Sequence, residues 1–173
     1  VLAIYPTGGP MGGMLKTLVA GEGIAQHTID VQNQTRTNLT VYERTSEQIF
    51  RFGMPGASLT EGEWQACLEA VKQYKPDYVV GSGSLPEGVP DDFYAQLSKV
   101  ASEIGARYIL DTSGDALRDG MGEGVYLIKP NMRELRQLVG GDVNDEDEQE
   151  AAAKQLIRNG KAEVVVVSLG AAE

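Results

Sequence analysis

Four short apolar runs recur from Asp77 onward, and each ends in a polar or glycine-rich stretch. They are "DYVVGSGS" (Asp77–Ser84), "ARYILD" (Ala106–Asp111), "VYLIKP" (Val125–Pro130) and "EVVVVS" (Glu163–Ser168). None alternates apolar with polar, the pattern expected of strands covered on both faces. Leu2–Tyr5 is a fifth run of this kind. Helical patterns lie between the runs, at Thr60–Tyr74, Asp91–Ile104, Asn131–Val139 and Asn144–Asn159, with an amphipathic stretch at Met14–Ala20 ended by "GEG". Thr60 and Glu63 carry the S/T-x-x-E capping signature. Strand and helix in alternation predict an α/β fold around a mainly parallel sheet with right-handed crossovers.

One segment breaks the rhythm. "NLTVYERTSEQIFRFGMPG" (Asn38–Gly56) holds two alternating runs around a polar turn and reads as an antiparallel hairpin with Leu39, Val41 and Ile49 on its apolar face. Such an insertion serves as a lid or a dimer surface, or else as a plain edge hairpin. The division expected is a core of residues 1–34 and 57–173 and a β lid of residues 35–56. Val1 opens inside a strand-like run and Glu173 follows soon after another, so both ends read as cut from a longer protein.

The net charge of −10 argues against nucleic acid or an anionic membrane as partner. No apolar run approaches the ~20 residues of a membrane-spanning helix. Cys67 is the sole cysteine, which suits a reducing, cytoplasmic setting. His27 is the sole histidine, so a Ser-His-Asp triad or a histidine zinc site is poorly supported. There is no P-loop, and "GGPMGG" has the wrong spacing for a dinucleotide fingerprint.

Ligands of open α/β sheets gather at the carboxyl ends of the strands. "GSGSLPEGVP" offers N–H groups and hydroxyls to sugar or phosphate oxygens, or is an ordinary turn. Asp111 in "DTSGDAL" suits a sugar hydroxyl or a hydrated metal, or caps the next helix. Lys129, Asn131 and Glu134 in "KPNMREL" suit a nucleotide and its metal, while Asn131 and Glu134 also make a capping pair. "SLG" (168–170) would let a nucleotide approach the backbone. Arg36 has the fork of donors that suits phosphate, or is a solvated loop residue.

In order, "NQTRTNLTVYE", "FRFGMPGASLTEGEW", "GSGSLPEGVPDDFYAQL", "ILDTSGDAL", "LIKPNMREL" and "VVVVSLG" resemble the ribokinase-like (phosphofructokinase B) carbohydrate kinases. Within that family the look is nearest to bacterial minor-type 6-phosphofructokinases, then to 1-phosphofructokinases and tagatose-6-phosphate kinases. The resemblance implies a ribokinase-like three-layer fold with a small β lid. It also implies phosphorylation of a ketohexose phosphate, fructose 6-phosphate foremost, with ATP and Mg²⁺, in glycolysis. By position it puts Arg36, Asn38 and Ser84 at the sugar phosphate and Asp111 near the transferred phosphoryl group. It puts Lys129, Asn131, Ser168 and Gly170 at the nucleotide, and Glu134 at Mg²⁺ through water. The lid implies a homodimer. The family's catalytic base is an aspartate in a Gly-Ala-Gly-Asp motif, expected downstream of Glu173. Lacking it and the anion hole beside it, this chain alone is expected to be inactive; the alternative is a catalytically incompetent binding or dimerisation module.

Overall fold

The computed structural model describes residues 1–122 and 124–169. They fall into two compact units, Val1–Ala70 with Pro86–Val89, and Val71–Leu85 with Pro90–Glu173.

In the first unit β1 (Leu2–Thr7) pairs in parallel with β2 (Ala25–Asp30), joined by helix α1 (Gly9–Gly21). The chain enters α1 at Gly8, where a Cβ would stand 1.9 Å from the Asn33 carbonyl oxygen, so only glycine fits. Thr35 fastens this corner. Its N–H donates to the Gly8 carbonyl at 3.0 Å, and its Oγ1 accepts from the Gly8 N–H at 3.0 Å. β2 is not evident from the sequence, because "AQHTID" is polar and only Ile29 in it is buried. His27 lies in this strand, paired with Ile4.

β3 (Leu39–Glu43) and β4 (Gln48–Phe52) form the expected hairpin, and all ten of its strand residues are exposed. Its register corrects the apolar face. Leu39 stands opposite Phe52 and Val41 opposite Phe50, whereas Ile49 stands opposite Tyr42. Directly paired residues share a face and neighbours alternate. One face therefore carries Leu39, Val41, Phe50 and Phe52, and Ile49 lies on the other with Tyr42.

Helix α2 (Glu61–Tyr74) begins as its capping signature predicts, but the carboxylate does more than cap. Glu63 accepts from the Thr60 N–H at 2.7 Å and from the Gln32 N–H at 2.8 Å. It thereby ties the loop after β2 to the start of α2. These two backbone donors hold its pKa below the ordinary glutamate value.

In the second unit β5 (Tyr78–Ser82), β6 (Arg107–Asp111), β7 (Val125–Ile128) and β8 (Val164–Val165) form one parallel sheet in sequential order. Helices α3 (Phe93–Glu103), α4 (Gly114–Gly120), α5 (Met132–Val139) and α6 (Glu146–Arg158) make the connections. The core is Tyr108, Leu110 and Ile128, wholly buried, with Val79, Val125, Leu117 and Leu135. Burial removes each such aliphatic side chain from water at a gain of ~1.5–3 kcal/mol. The expectation of two covered faces fails at β5, which alternates exposed Tyr78 and Val80 with buried Val79 and Gly81, whereas β7 has no exposed residue. On the exposed side the Arg107 guanidinium lies 4.9 Å from the Tyr126 ring centre and 5.7 Å from that of Tyr78, and donates to Tyr78 Oη at 2.8 Å. One arginine thus staples β5, β6 and β7 near their amino ends.

A group with a depressed pKa contributes stability that is complete above its unfolded value and lost as pH falls through the folded one. Glu63 is such a group. Urea denaturation from about pH 6 to pH 3 should therefore show a decline in stability that Glu63→Gln shallows; identical slopes for the two proteins would contradict the role of this carboxylate.

Candidate functional site

Parallel strands in sequential order place the residues after β5, β6, β7 and β8 along one edge of the second unit's sheet. Ser84, Lys129 with Asn131 and Glu134, and Ser168 are those residues, and Asp111 is the last residue of β6. The Lys129 ammonium lies 3.3 Å from Asp111 Oδ1, with both side chains close to half exposed. Asp111 does not cap the next helix, because it closes β6 and Ser113 holds the N-cap position of α4.

Asn131 and Glu134 are a complete capping box at the start of α5. Asn131 Oδ1 accepts from the Glu134 N–H at 2.9 Å, and Glu134 Oε2 accepts from the Asn131 N–H at 2.9 Å. Gly140 closes the same helix in the left-handed conformation. The box fixes the Glu134 carboxylate in the first helical turn and leaves Oε1 able to accept from a further donor. Ser168 is brought to the same corner: it bridges to Asn131 in parallel, and its N–H donates to the Pro130 carbonyl at 3.0 Å. Gly170 lies outside the described residues.

The turn after β5 is held from below. Gly83 has φ +98° and its N–H donates to the Asp111 carbonyl at 3.2 Å. Its own carbonyl accepts from Tyr94 Oη at 2.6 Å and from Thr112 Oγ1 at 2.8 Å. A Cβ on Gly81 would stand 2.6 Å from Tyr108 Oη and 3.1 Å from the Tyr94 ring. Gly81 is thus required by a floor of two tyrosines, and Gly83 by its positive φ. Burial pushes the Tyr94 phenol up, the neighbouring Asp111 charge adds to the rise, and Thr112 partly offsets it; Tyr94 stays a protonated donor at neutral pH.

Arg36 and Asn38 belong to the first unit. Asn38 Oδ1 accepts from the Met54 N–H at 3.2 Å and closes the base of the hairpin. Gly56 lies beside Arg36, its Cβ position 3.9 Å from the guanidinium.

Sequence reasoning missed Tyr94 and Thr112, which carry no signal at their own positions and act through tertiary contacts. It also missed a cleft of about 280 Å³ between α4 and α5, lined by Gly114, Asp115, Leu117, Arg118, Glu134, Gln137 and Leu138. Glu134 is the expected site residue on it. Cys67 is a poor nucleophile, because burial pushes its thiol up to about 11.

The edge carries two hard-oxygen groups, the Asp111 carboxylate paired with Lys129 and the Glu134 carboxylate in the first turn of α5. Oxygen donors of this kind fit Mg²⁺, which takes few protein ligands and keeps several waters. Among the described residues no group of three or more His, Cys, Asp or Glu is gathered to hold a metal ion.

A family model described as pfkB family carbohydrate kinase matches residues 1–173. An ATP-dependent 6-phosphofructokinase isozyme 2 of Mycobacterium tuberculosis is 41% identical over 170 residues, covering 97% of this chain and 50% of that protein. The Escherichia coli K12 protein of the same name is 40% identical, covering 97% of this chain and 55% of its own length. The crystal structure of Escherichia coli phosphofructokinase-2 in complex with fructose-6-phosphate superposes with a TM-score of 0.88 at 38% identity, covering 98% of this chain and 56% of that one. The chain therefore spans about half the length of the relatives it matches.

Replacing a capping asparagine by alanine costs about 1 kcal/mol, and aspartate keeps the cap. Asn131→Ala should lower the stability measured by urea denaturation by about that amount, and Asn131→Asp should leave it within a few tenths. Equal losses in the two variants would contradict the capping account.

Proposed function

Because the chain belongs to the pfkB family of carbohydrate kinases, we propose that it is part of an ATP-dependent kinase that phosphorylates a ketohexose phosphate, fructose 6-phosphate foremost, to a bisphosphate. The observation that carries this reading is the Lys129–Asp111 pair beside the Asn131–Glu134 corner, on adjacent strand ends of one parallel sheet. A cation paired with one carboxylate, and a second carboxylate at the next helix start, suit a phosphate chain and its metal better than a neutral ligand.

Bound ATP with Mg²⁺ would supply the phosphoryl group and offset its charge. The chain's own residues would do the positioning on which phosphoryl transfer depends. Lys129 and Asn131 would donate to phosphate oxygens. Glu134, oriented by its cap, would accept from waters around the metal, with Asp111 near the transferred group. Ser168 and Gly170 would begin the nucleotide loop. Arg36 and Asn38 would meet the sugar phosphate, and Ser84 would line its pocket. Residues 35–56 would be the lid over a core of 1–34 and 57–173, its exposed Val41, Phe50 and Phe52 forming a homodimer surface. The working compartment would be the cytoplasm. The base would come from the parent protein beyond Glu173, so the isolated chain would not turn over. The second reading is a non-catalytic module that dimerises through the hairpin, favoured by the exposure of every strand residue in it. An aspartate in a Gly-Ala-Gly-Asp motif in the parent, downstream of Glu173, separates the two.

The parent protein, given fructose 6-phosphate and Mg-ATP in a coupled assay, should turn over, and the isolated chain should not. Glu134→Gln in the parent should raise the Mg²⁺ needed for half-maximal rate about tenfold, as expected for ~1.4 kcal/mol of lost charge-assisted hydrogen bonding, while fructose 6-phosphate affinity holds within about twofold. No turnover with any ketohexose phosphate would overturn the kinase reading. A variant that loses sugar binding and keeps its Mg²⁺ dependence would overturn the role of Glu134.

A further inference from the structure

The turn that carries Ser84 is fastened by two hydroxyls from other elements. Tyr94 comes from the first turn of α3 and Thr112 from the residue after β6, and both donate to the one Gly83 carbonyl, at 2.6 Å and 2.8 Å. The Gly83 N–H donates in turn to the Asp111 carbonyl at 3.2 Å. Gly83 is itself exposed, whereas Tyr94 is 4% and Thr112 8% exposed. Two buried donors thus converge on an exposed turn from beneath. A carbonyl has two lone pairs, and here protein hydroxyls fill both.

Nothing in the local chain demands this arrangement. Gly83 at φ +98° has wide conformational freedom, and Ser82 and Ser84 beside it are exposed. Without the two hydroxyls the turn would keep the Gly83–Asp111 bond and little else among the hydrogen bonds described. With them the Gly83 carbonyl is held as well, on the same residue whose N–H already bonds Asp111, the partner of Lys129. The position of Ser84 is then coupled to the phosphate end of the site through one short network.

We propose that Tyr94 and Thr112 are positioning residues that clamp the Gly83 carbonyl and so hold the Ser84 turn ready for the sugar phosphate. They touch neither ligand and act through Gly83. The clamp lowers the cost of ordering that turn when the sugar binds, a cost otherwise taken from affinity. The proposal rests on the kinase reading above, to which it adds the residues that preorganise the sugar side.

The test uses the parent protein with Tyr94→Phe, Thr112→Val and Thr112→Ser. Phenylalanine keeps the buried ring, and valine keeps the branched shape, so each removes a donor and little volume. The KM for fructose 6-phosphate should rise about tenfold in Tyr94→Phe and in Thr112→Val, with the KM for Mg-ATP unmoved. Thr112→Ser, which retains the hydroxyl, should restore the wild-type KM. Hydrogen exchange at the Gly83 amide should quicken in the first two variants and not in the third. If the two KM values move together, or if only the melting temperature falls, the clamp has no positioning role. Turnover by the wild type with an unchanged sugar KM in both variants overturns the clamp alone. Absence of wild-type turnover overturns the kinase reading and takes the clamp's purpose with it.

Discussion

Strands β5 to β8 all run in one direction, so every carboxyl end leaves the sheet at the same edge. Parallel pairing forces this, because each crossover must return the chain to the opposite edge before the next strand begins. Four polar strand ends, from stretches far apart in sequence, therefore become neighbours with no need to contact one another directly. Buried Tyr108, Leu110, Val125 and Ile128 hold the sheet that sets their spacing. The chemistry of the edge rests on apolar packing immediately behind it, since Leu110 precedes Asp111 and Ile128 precedes Lys129.

Local stability and site geometry are not competing explanations at the β7–α5 corner. The Asn131–Glu134 box satisfies backbone donors that a helix start would otherwise leave open. The same bonds stop the Glu134 carboxylate from sampling other rotamers. An ordinary device of helix formation thereby aims an acidic side chain along the edge where the strands end. The Glu63 carboxylate behaves in the same way at α2, joining two segments through backbone N–H groups.

Much of the fold was legible because its signals are local. Non-alternating apolar runs marked β5 to β8, and capping pairs marked the starts of α2 and α5. What escaped depends on tertiary partners. "AQHTID" forms β2 through pairing with β1, although its composition is polar. The face of the hairpin depends on register, and an error of one position moves Ile49 from one side to the other. The short helix α4 begins at the glycine of "DTSG", close enough that Asp111 reads as its cap, whereas Ser113 takes that place. In the site, Lys129, Asn131 and Glu134 were visible as a cluster in one stretch. Tyr94 and Thr112 were not, since a hydroxyl that bonds a distant carbonyl leaves no trace in its own neighbourhood.

The Lys129–Asp111 pair is of a kind that parts easily. At 3.3 Å with side chains 46% and 41% exposed, it is a solvated ion pair, and pairs of that kind are worth only ~0–1 kcal/mol. Breaking it costs little. On the kinase reading, the pair would keep two opposite charges near each other, so that neither need be gathered in for a phosphate ligand. A buried version of the same pair would be costly to part and would hold the site shut against its ligand. On that reading, partial exposure at the edge of the sheet would suit the pair to keep two charges near each other and still release them to a more highly charged partner.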